Sequence, residues 1–222
     1  EICACLVGSE MCIRDSIMPG AFIECFEDAG LIYRLDNYIW EEAAKQLKIW
    51  KDSGYNYYIS VNISAKDFYH IDVYQTFKNL VSKYGIDTDK LHIEITETAL
   101  SEDKQAAHKT IERLHDEGFI IEIDDFGSGY SSFNFLKDVC ADVIKIDRVF
   151  LKKSSHEERG EQILRSIISL SHDIGMDVIT EGVENVDQLS MLAKMNCDWF
   201  QGYYFSKPIA VGDFEEKYGI KV

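Results

Sequence analysis

Proline is scarce in this chain: two occur in 222 residues, Pro19 and Pro208. Together with a hydrophobic content of 46%, this excludes a proline-rich disordered or fibrous chain and points to a folded domain. Long apolar runs are also missing. None approaches the roughly 18 residues that a membrane-spanning helix requires, so no membrane span is expected and the sequence reads as soluble. Positive charge is in deficit, with 23 Lys and Arg against 39 Asp and Glu for a net charge of −16. Nucleic-acid polymers and anionic membranes attract basic surfaces, so both are disfavoured as partners. An anionic ligand would need a local cation, most simply a bound metal. The six cysteines show no CxxC or other zinc spacing, and Cys3 and Cys5 are too close for a metal knuckle or an ordinary staple; reduced thiols of a cytoplasmic protein are the simple reading. No GxGxxG or Walker lysine motif follows any apolar run, which weakens a nucleotide-binding doubly wound fold.

What is present is an alternation of short apolar runs and amphipathic segments, the pattern of βα units and a mostly parallel sheet. Strands are predicted at Tyr57–Ile63, Leu91–Thr96, Phe119–Asp124, Val143–Asp147, Asp177–Thr180 and Trp199–Tyr203. Helices are predicted at Leu35–Asp52, Asp67–Tyr84, Glu102–Glu117, Glu157–Ile174 and Val186–Met195, from apolar residues at helical spacing. Ser101 and Asn185 stand as capping residues, the second with Gln188 at the capping-box position. No low-complexity linker or repeat interrupts the pattern, so one domain is expected. Polar residues recur at the carboxyl end of every strand: Asn62, Glu94, Asp124 with Asp125, Lys145 with Asp147, Glu181 and Gln201. Those ends converge on one face in a (β/α)8 barrel but spread along an edge in an open sheet. The expected fold is therefore α/β, a (β/α)8 TIM-like barrel.

Taken singly, each of these residues has a structural explanation. Asn62 could form a turn, Glu94 and Glu97 a solvated face, Asp124 a helix cap, and Lys145 an ion pair with Asp147. Together, Asn62, Glu94, Asp124, Asp125 and Glu181 offer only oxygen ligands, which suits Mg²⁺ or Mn²⁺. Two neighbouring aspartates repel unless a cation offsets them, and adjacent carboxylates can reach two ions, as in phosphoryl transfer. Lys145 ends an apolar strand and would be costly to bury without anionic or polar partners. Gly127, Ser128 and Gly129 form a loop after the acidic pair that can approach a ligand or move. None of the six histidines is assigned a catalytic role. Tyr203, Tyr204 and Phe205 read as core or rim rather than a base-stacking platform.

The stretches VNIS (Val61–Ser64), IEITET (Ile93–Thr98), IDDFGSGYSSF (Ile123–Phe133), DVIKIDRVF (Asp142–Phe150), TEGVE (Thr180–Glu184) and QGYYFSKP (Gln201–Pro208) stand in the order and spacing of EAL domains. The chain resembles these phosphodiesterases, which linearise the bacterial messenger cyclic di-GMP, and PGAFIECFEDAGLI (Pro19–Ile32) looks like the helix after the family's second strand. The resemblance implies that Asn62, Glu94, Asp124 and Glu181 bind metal and that Asp125 helps to hold the second of two Mg²⁺ or Mn²⁺ ions. It also implies that Lys145 contacts the attacking water or the phosphate, with Glu181 a plausible proton acceptor. Glu184 and Gln201 would support the site, with Asp147 beside them, and Glu97 would anchor the Gly127–Ser132 loop that couples substrate binding to homodimerisation. The implied reaction is in-line attack by a metal-activated water on one phosphodiester, giving linear pGpG. Upstream sensory or cyclase domains are common companions of the family. A degenerate domain that binds cyclic di-GMP as a sensor, or serves as a protein-interaction module, is the alternative; an unrelated metal-dependent barrel such as an aldolase is a third.

The family's first two strands, with a Glu-x-Leu metal ligand, are expected before Pro19 and are missing from this chain. In their place Leu6–Ser16 matches, residue for residue, one reading frame of a widely used transposase sequencing adapter. Residues 1–16 are therefore read as non-native and 17–222 as the barrel domain, incomplete at its N-terminus. A barrel without two strands leaves open edges, so the 222 residues expressed as written are expected to be poorly soluble or inactive. Amplifying the source DNA across the codon for Ile17 and reading upstream without such adapters is expected to replace Leu6–Ser16 with a strand ending in Glu-x-Leu. A genome that encodes Leu6–Ser16 would overturn this reading.

Overall fold

The computed structural model describes residues 19–102, 104–127, 136–137, 139–152 and 157–222. The segment 1–16 and the loop residues Ser128 and Gly129 lie outside them. Two compact units are present, one running to Ile120 and including Pro208–Val222, the other Ile121–Lys207. In chain order, the first unit holds α1 (Pro19–Asp28), α2 (Ile32–Asp52), β1 (Ile59–Ile63), α3 (Asp67–His70), α4 (Val73–Tyr84), β2 (Leu91–Thr96), α5 (Glu97–Glu102) and α6 (Lys104–Asp116). The second holds β3 (Ile121–Phe126), β4 (Val143–Ile146), a 3₁₀ turn (Arg148–Leu151), α7 (Glu157–Asp173), β5 (Asp177–Thr180), α8 (Val186–Lys194) and β6 (Trp199–Phe200). Helix α9 (Val211–Tyr218) belongs to the first unit.

In the first unit β1 and β2 pair in parallel with Asn62 opposite Glu94. In the second, β3, β4, β5 and β6 pair successively, all in parallel. Each unit thus carries its strands' carboxyl ends on one edge. The apolar strand sequences follow from burial on both faces: Val143, Ile144, Lys145 and Ile146 of β4 are all buried. Helix α2 buries Ile39, Trp40, Ala43, Ala44, Leu47 and Trp50, a stripe at helical spacing. Its tryptophans also satisfy polar groups: Trp40 Nε1 donates to the Asn62 carbonyl at 2.9 Å and Trp50 Nε1 to Glu215 Oε1 at 2.9 Å, which ties α9 to α2.

The predicted helix Asp67–Tyr84 is two helices, because Ile71 is extended and Asp72 caps α4 by accepting the Gln75 N–H at 3.0 Å. An aspartate that bonds the backbone three residues on starts a helix rather than continuing one. The helix predicted at Glu102–Glu117 is α6, Lys104–Asp116, and α5 precedes it at Glu97–Glu102. The capping box at Asn185 and Gln188 forms as expected. Strand β3 begins two residues later than predicted and runs through Phe126, for a reason that lies in the site itself. Among the described residues no helix is long and apolar enough to cross a membrane.

Two carboxyl groups meet between α2 and α3. Asp67 is fully buried, accepts the Ser64 N–H at 2.8 Å, and shares a hydrogen bond with Asp36. Burial, then the charge of Asp67, pushes Asp36 up to about 8; burial, opposed by the Ser64 N–H, moves Asp67 to about 6. The pair therefore holds a proton that the unfolded chain releases near pH 4. Its contribution is fully present below about pH 4 and is lost as pH rises through the folded values. Asp36→Asn keeps a hydrogen-bonding amide and cannot ionise. The variant is expected to melt above the wild type at pH 8.5 and to lose that advantage near pH 4, measured by thermal unfolding across pH.

Candidate metal-binding active site

Asp124 and Asp125 are adjacent, and adjacent strand residues ordinarily face opposite sides of a sheet. The β3–β4 register resolves this: Ile123 pairs with Ile144 and Phe126 with Ile146, so two aspartates stand opposite the single residue Lys145. This is a β-bulge, and Asp125 takes the left-handed conformation, φ 55°, needed to make it. The result is that Asp124, Asp125 and Glu181 of the same unit bring ligand oxygens within 4.8 Å of one another. The extra residue also carries β3 past its predicted end.

Lys145 reaches this cluster from the next strand. Its side chain is 3% exposed, with Nζ 2.8 Å from Glu181 Oε1 and 3.1 Å from Asp124 Oδ1. Burial raises the pKa of Glu181 above the ordinary carboxylate value, opposed by the Lys145 charge and reinforced by Asp124. Asp125 is raised by burial, then by Asp124 and Asp147. Three carboxylates against one ammonium leave an excess of two negative charges, the charge a divalent cation supplies. Asp124 Oδ1 is sealed from solvent without a hydrogen-bond partner, its neighbour being the Lys145 ammonium at ion-pair distance. An all-oxygen donor set with an under-satisfied buried oxygen fits Mg²⁺ or Mn²⁺ and not a thiolate-type zinc site.

The remaining expected residues fall as follows. In the first unit the Asn62 amide donates to Glu94 Oε2 at 3.0 Å; Glu94 is buried and Asn62 exposed. Glu97 opens α5, half-buried. In the second unit Asp147 does not pair with Lys145; its side chain accepts the Val149 N–H at 2.7 Å and caps the 3₁₀ turn. Glu184 is exposed, with its N–H held by Gln188 Oε1 at 2.8 Å. Gln201 is fixed by backbone bonds to Thr180 and Val183, both at 2.9 Å. Gly127 has φ 89°. Tyr203, Tyr204 and Phe205 are 61%, 44% and 43% exposed, which makes them rim and not core. His92 stacks on Tyr58 and His172 bonds Asp198. Sequence reasoning passed over Arg148, Phe150 and Gly182. The available signal was a glycine soon after each strand-end carboxylate, at Gly127 and Gly182.

In the second unit, parallel strands thus carry a carboxylate cluster and a buried lysine at their carboxyl ends, a donor set that could hold a divalent cation. The chain belongs to the EAL domain family, whose model matches residues 13–208. It is 38% identical to the signaling protein YkoW of Bacillus subtilis over 89% of this chain and 25% of that protein. It is 32% identical to the bifunctional diguanylate cyclase/cyclic di-GMP phosphodiesterase MucR of Pseudomonas aeruginosa over 87% of this chain and 28% of that protein. The chain thus spans about a quarter of the curated relatives it matches. Among solved structures it resembles the PaMucR phosphodiesterase in its c-di-GMP complex, with a TM-score of 0.84 and 31% identity over 92% of this chain and 83% of that one. The expected TIM-like α/β fold is the fold of these EAL domains.

Removing the ammonium from the cluster leaves buried carboxylates uncompensated, which typically costs about 3–5 kcal/mol. Lys145→Met is expected to lower the free energy of unfolding by about 3 kcal/mol at pH 7, with a smaller loss at pH 4.5, where Glu181, raised above the ordinary value of 4.5, is largely protonated. Urea unfolding at the two pH values measures this; equal losses at both would contradict the ion-pair account.

Proposed function

We propose that this chain is the hydrolytic module of a cyclic di-GMP phosphodiesterase that opens one phosphodiester to give linear pGpG, with two Mg²⁺ or Mn²⁺ ions. The observation that carries the reading is the convergence of Asp124, Asp125 and Glu181 on the buried Lys145, in a chain of the EAL family whose relatives include a protein named for that activity. Asp124, Asp125 and Glu181 hold the metal, joined by Asn62 and Glu94 as the family resemblance implies. Bound divalent cations would supply Lewis acidity and offset phosphate charge. Lys145, held by two carboxylates, keeps a fixed positive charge at the place where a phosphodiester oxygen gains negative charge. Glu181, its pKa raised by burial, is the group best suited to accept the proton of the attacking water. As the family resemblance implies, Glu97 would anchor the loop that follows the acidic pair, while Asp147, Glu184 and Gln201 would support the site. A cytoplasmic homodimer with upstream sensory or cyclase domains completes the proposal.

The test is expression of the full reading frame that contains these residues, with cyclic di-GMP turnover followed by chromatography. Turnover to pGpG is expected with Mn²⁺ or Mg²⁺, none in excess EDTA, and a loss of at least about a hundredfold in Asp124→Asn, since metal chemistry contributes several kcal/mol at about 1.4 kcal/mol per factor of ten. Tight binding of cyclic di-GMP without turnover in either metal would move the assignment to a sensor.

A further inference from the structure

The 3₁₀ turn Arg148–Leu151 carries none of the carboxylates, yet it touches both segments that do. On one side the Phe150 ring covers Gly127, two residues after Asp125: a Cβ placed at Gly127 would lie 2.2 Å from Cε2 and 2.7 Å from Cζ. On the other side Arg148 covers Gly182, the residue after Glu181: a Cβ there would lie 2.3 Å from Arg148 Cβ, with Cα and Cδ at 3.4 Å. Both glycines have φ in the range that side chains disfavour, 89° and 71°. Backbone bonds join the same three segments, Asp147 N–H to the Phe126 carbonyl at 3.3 Å and Glu181 N–H to the Ile146 carbonyl at 2.9 Å. The turn itself is held by the Asp147 cap at 2.7 Å and by Gln188 Nε2 on the Leu151 carbonyl at 3.4 Å.

Strands β3 and β5 are not neighbours; β4 lies between them. At about 4.8 Å per strand their backbones stand roughly 10 Å apart, so carboxylates from both must lean inward over the end of β4 to meet. Whatever fills the space beyond β4 decides how far they can lean. We propose that the Arg148–Leu151 turn is a spacer that sets the separation between the Asp124–Asp125 bulge and Glu181, with Phe150 and Arg148 as positioning residues for the metal centre. The ring limits the approach of the Gly127 segment and the Arg148 stem that of Gly182. Glycine is needed at both places because the close approach leaves no room for a methyl group.

This inference rests on the metal-centre reading, and Mn²⁺ binding tests the two separately. The probe is free Mn²⁺ followed by electron paramagnetic resonance on the protein from its full reading frame, with Tm in EDTA recorded for each variant. Binding that disappears in Asp124→Asn belongs to this centre; identical binding by wild type and Asp124→Asn would remove the metal reading itself. Phe150→Ala and Arg148→Gly are each expected to weaken that binding at least about tenfold, the scale of residues that orient metal ligands. Phe150→Leu, which keeps an apolar filler, is expected to lie between and guards against simple unfolding. Gly127→Ala is expected to weaken binding, and adding Phe150→Ala to it to recover part of the loss by removing the clash. Wild-type affinity in the single variants with only Tm lowered, or a Gly127→Ala loss unchanged by removing the ring, would overturn the spacer.

Discussion

A lysine ammonium buried at the end of a parallel strand has to find negative charge, and in this protein the rest of the site is arranged around that need. Lys145 lies inside β4 with its side chain almost wholly out of water, where an unpaired charge would be prohibitively costly. Asp124 and Glu181, from the strands on either side, supply the compensation. They overshoot: with Asp125 the cluster carries more negative charge than one ammonium offsets, and burial raises both Glu181 and Asp125. A partly buried cluster left with uncompensated charge is a candidate functional site. The incompleteness is of the sign and size that a divalent cation removes.

Geometry solves the second difficulty, that neighbouring strand residues point apart. The bulge at Asp124 and Asp125 costs a ladder position and a left-handed aspartate, strain of the kind that persists where surrounding structure enforces it. Enforcement comes from β4 and the turn after it, which contacts the segments following both Asp125 and Glu181. Site and scaffold are therefore the same residues read twice: Asp147 caps the turn, the turn seats two glycines, and the glycines follow the carboxylates.

The first unit has a different character. Its core is aromatic, with Trp40 packed on Phe77 at 4.8 Å and Phe77 on Phe119 at 5.8 Å, and its polar exceptions are placed near β1. Asn62 and Glu94 are linked side by side across the β1–β2 pair, and the Asp36–Asp67 pair holds α2 to the start of α3 through a shared proton. One metal-ligand candidate, Asn62, and one member of the titrating pair, Asp67, thus lie within a single short segment of sequence and act through different chemistry.

The alternation of apolar runs with amphipathic segments was enough to predict parallel α/β architecture, because burial of both sheet faces forces apolar strands and one-sided helices. The positions of Leu91–Thr96 and Asp177–Thr180 were legible to the residue, as were the capping box at Asn185 and the oxygen-only character of the candidate ligands. Local sequence could not show that Asp72 divides a helix, since a side chain bonding the backbone competes with a periodicity that looks continuous. Nor could it show which carboxylates Lys145 would choose: Asp147 is nearest in sequence but faces the backbone of its own turn, while Asp124 and Glu181 are brought in by strand register. Tertiary structure alone decided the bulge, the shared proton of Asp36 and Asp67, and the contacts of Phe150 and Arg148 with Gly127 and Gly182. Each of these depends on distances between segments far apart in the chain. Composition and periodicity carry the drive to bury apolar surface; register and packing decide which polar groups that burial brings face to face.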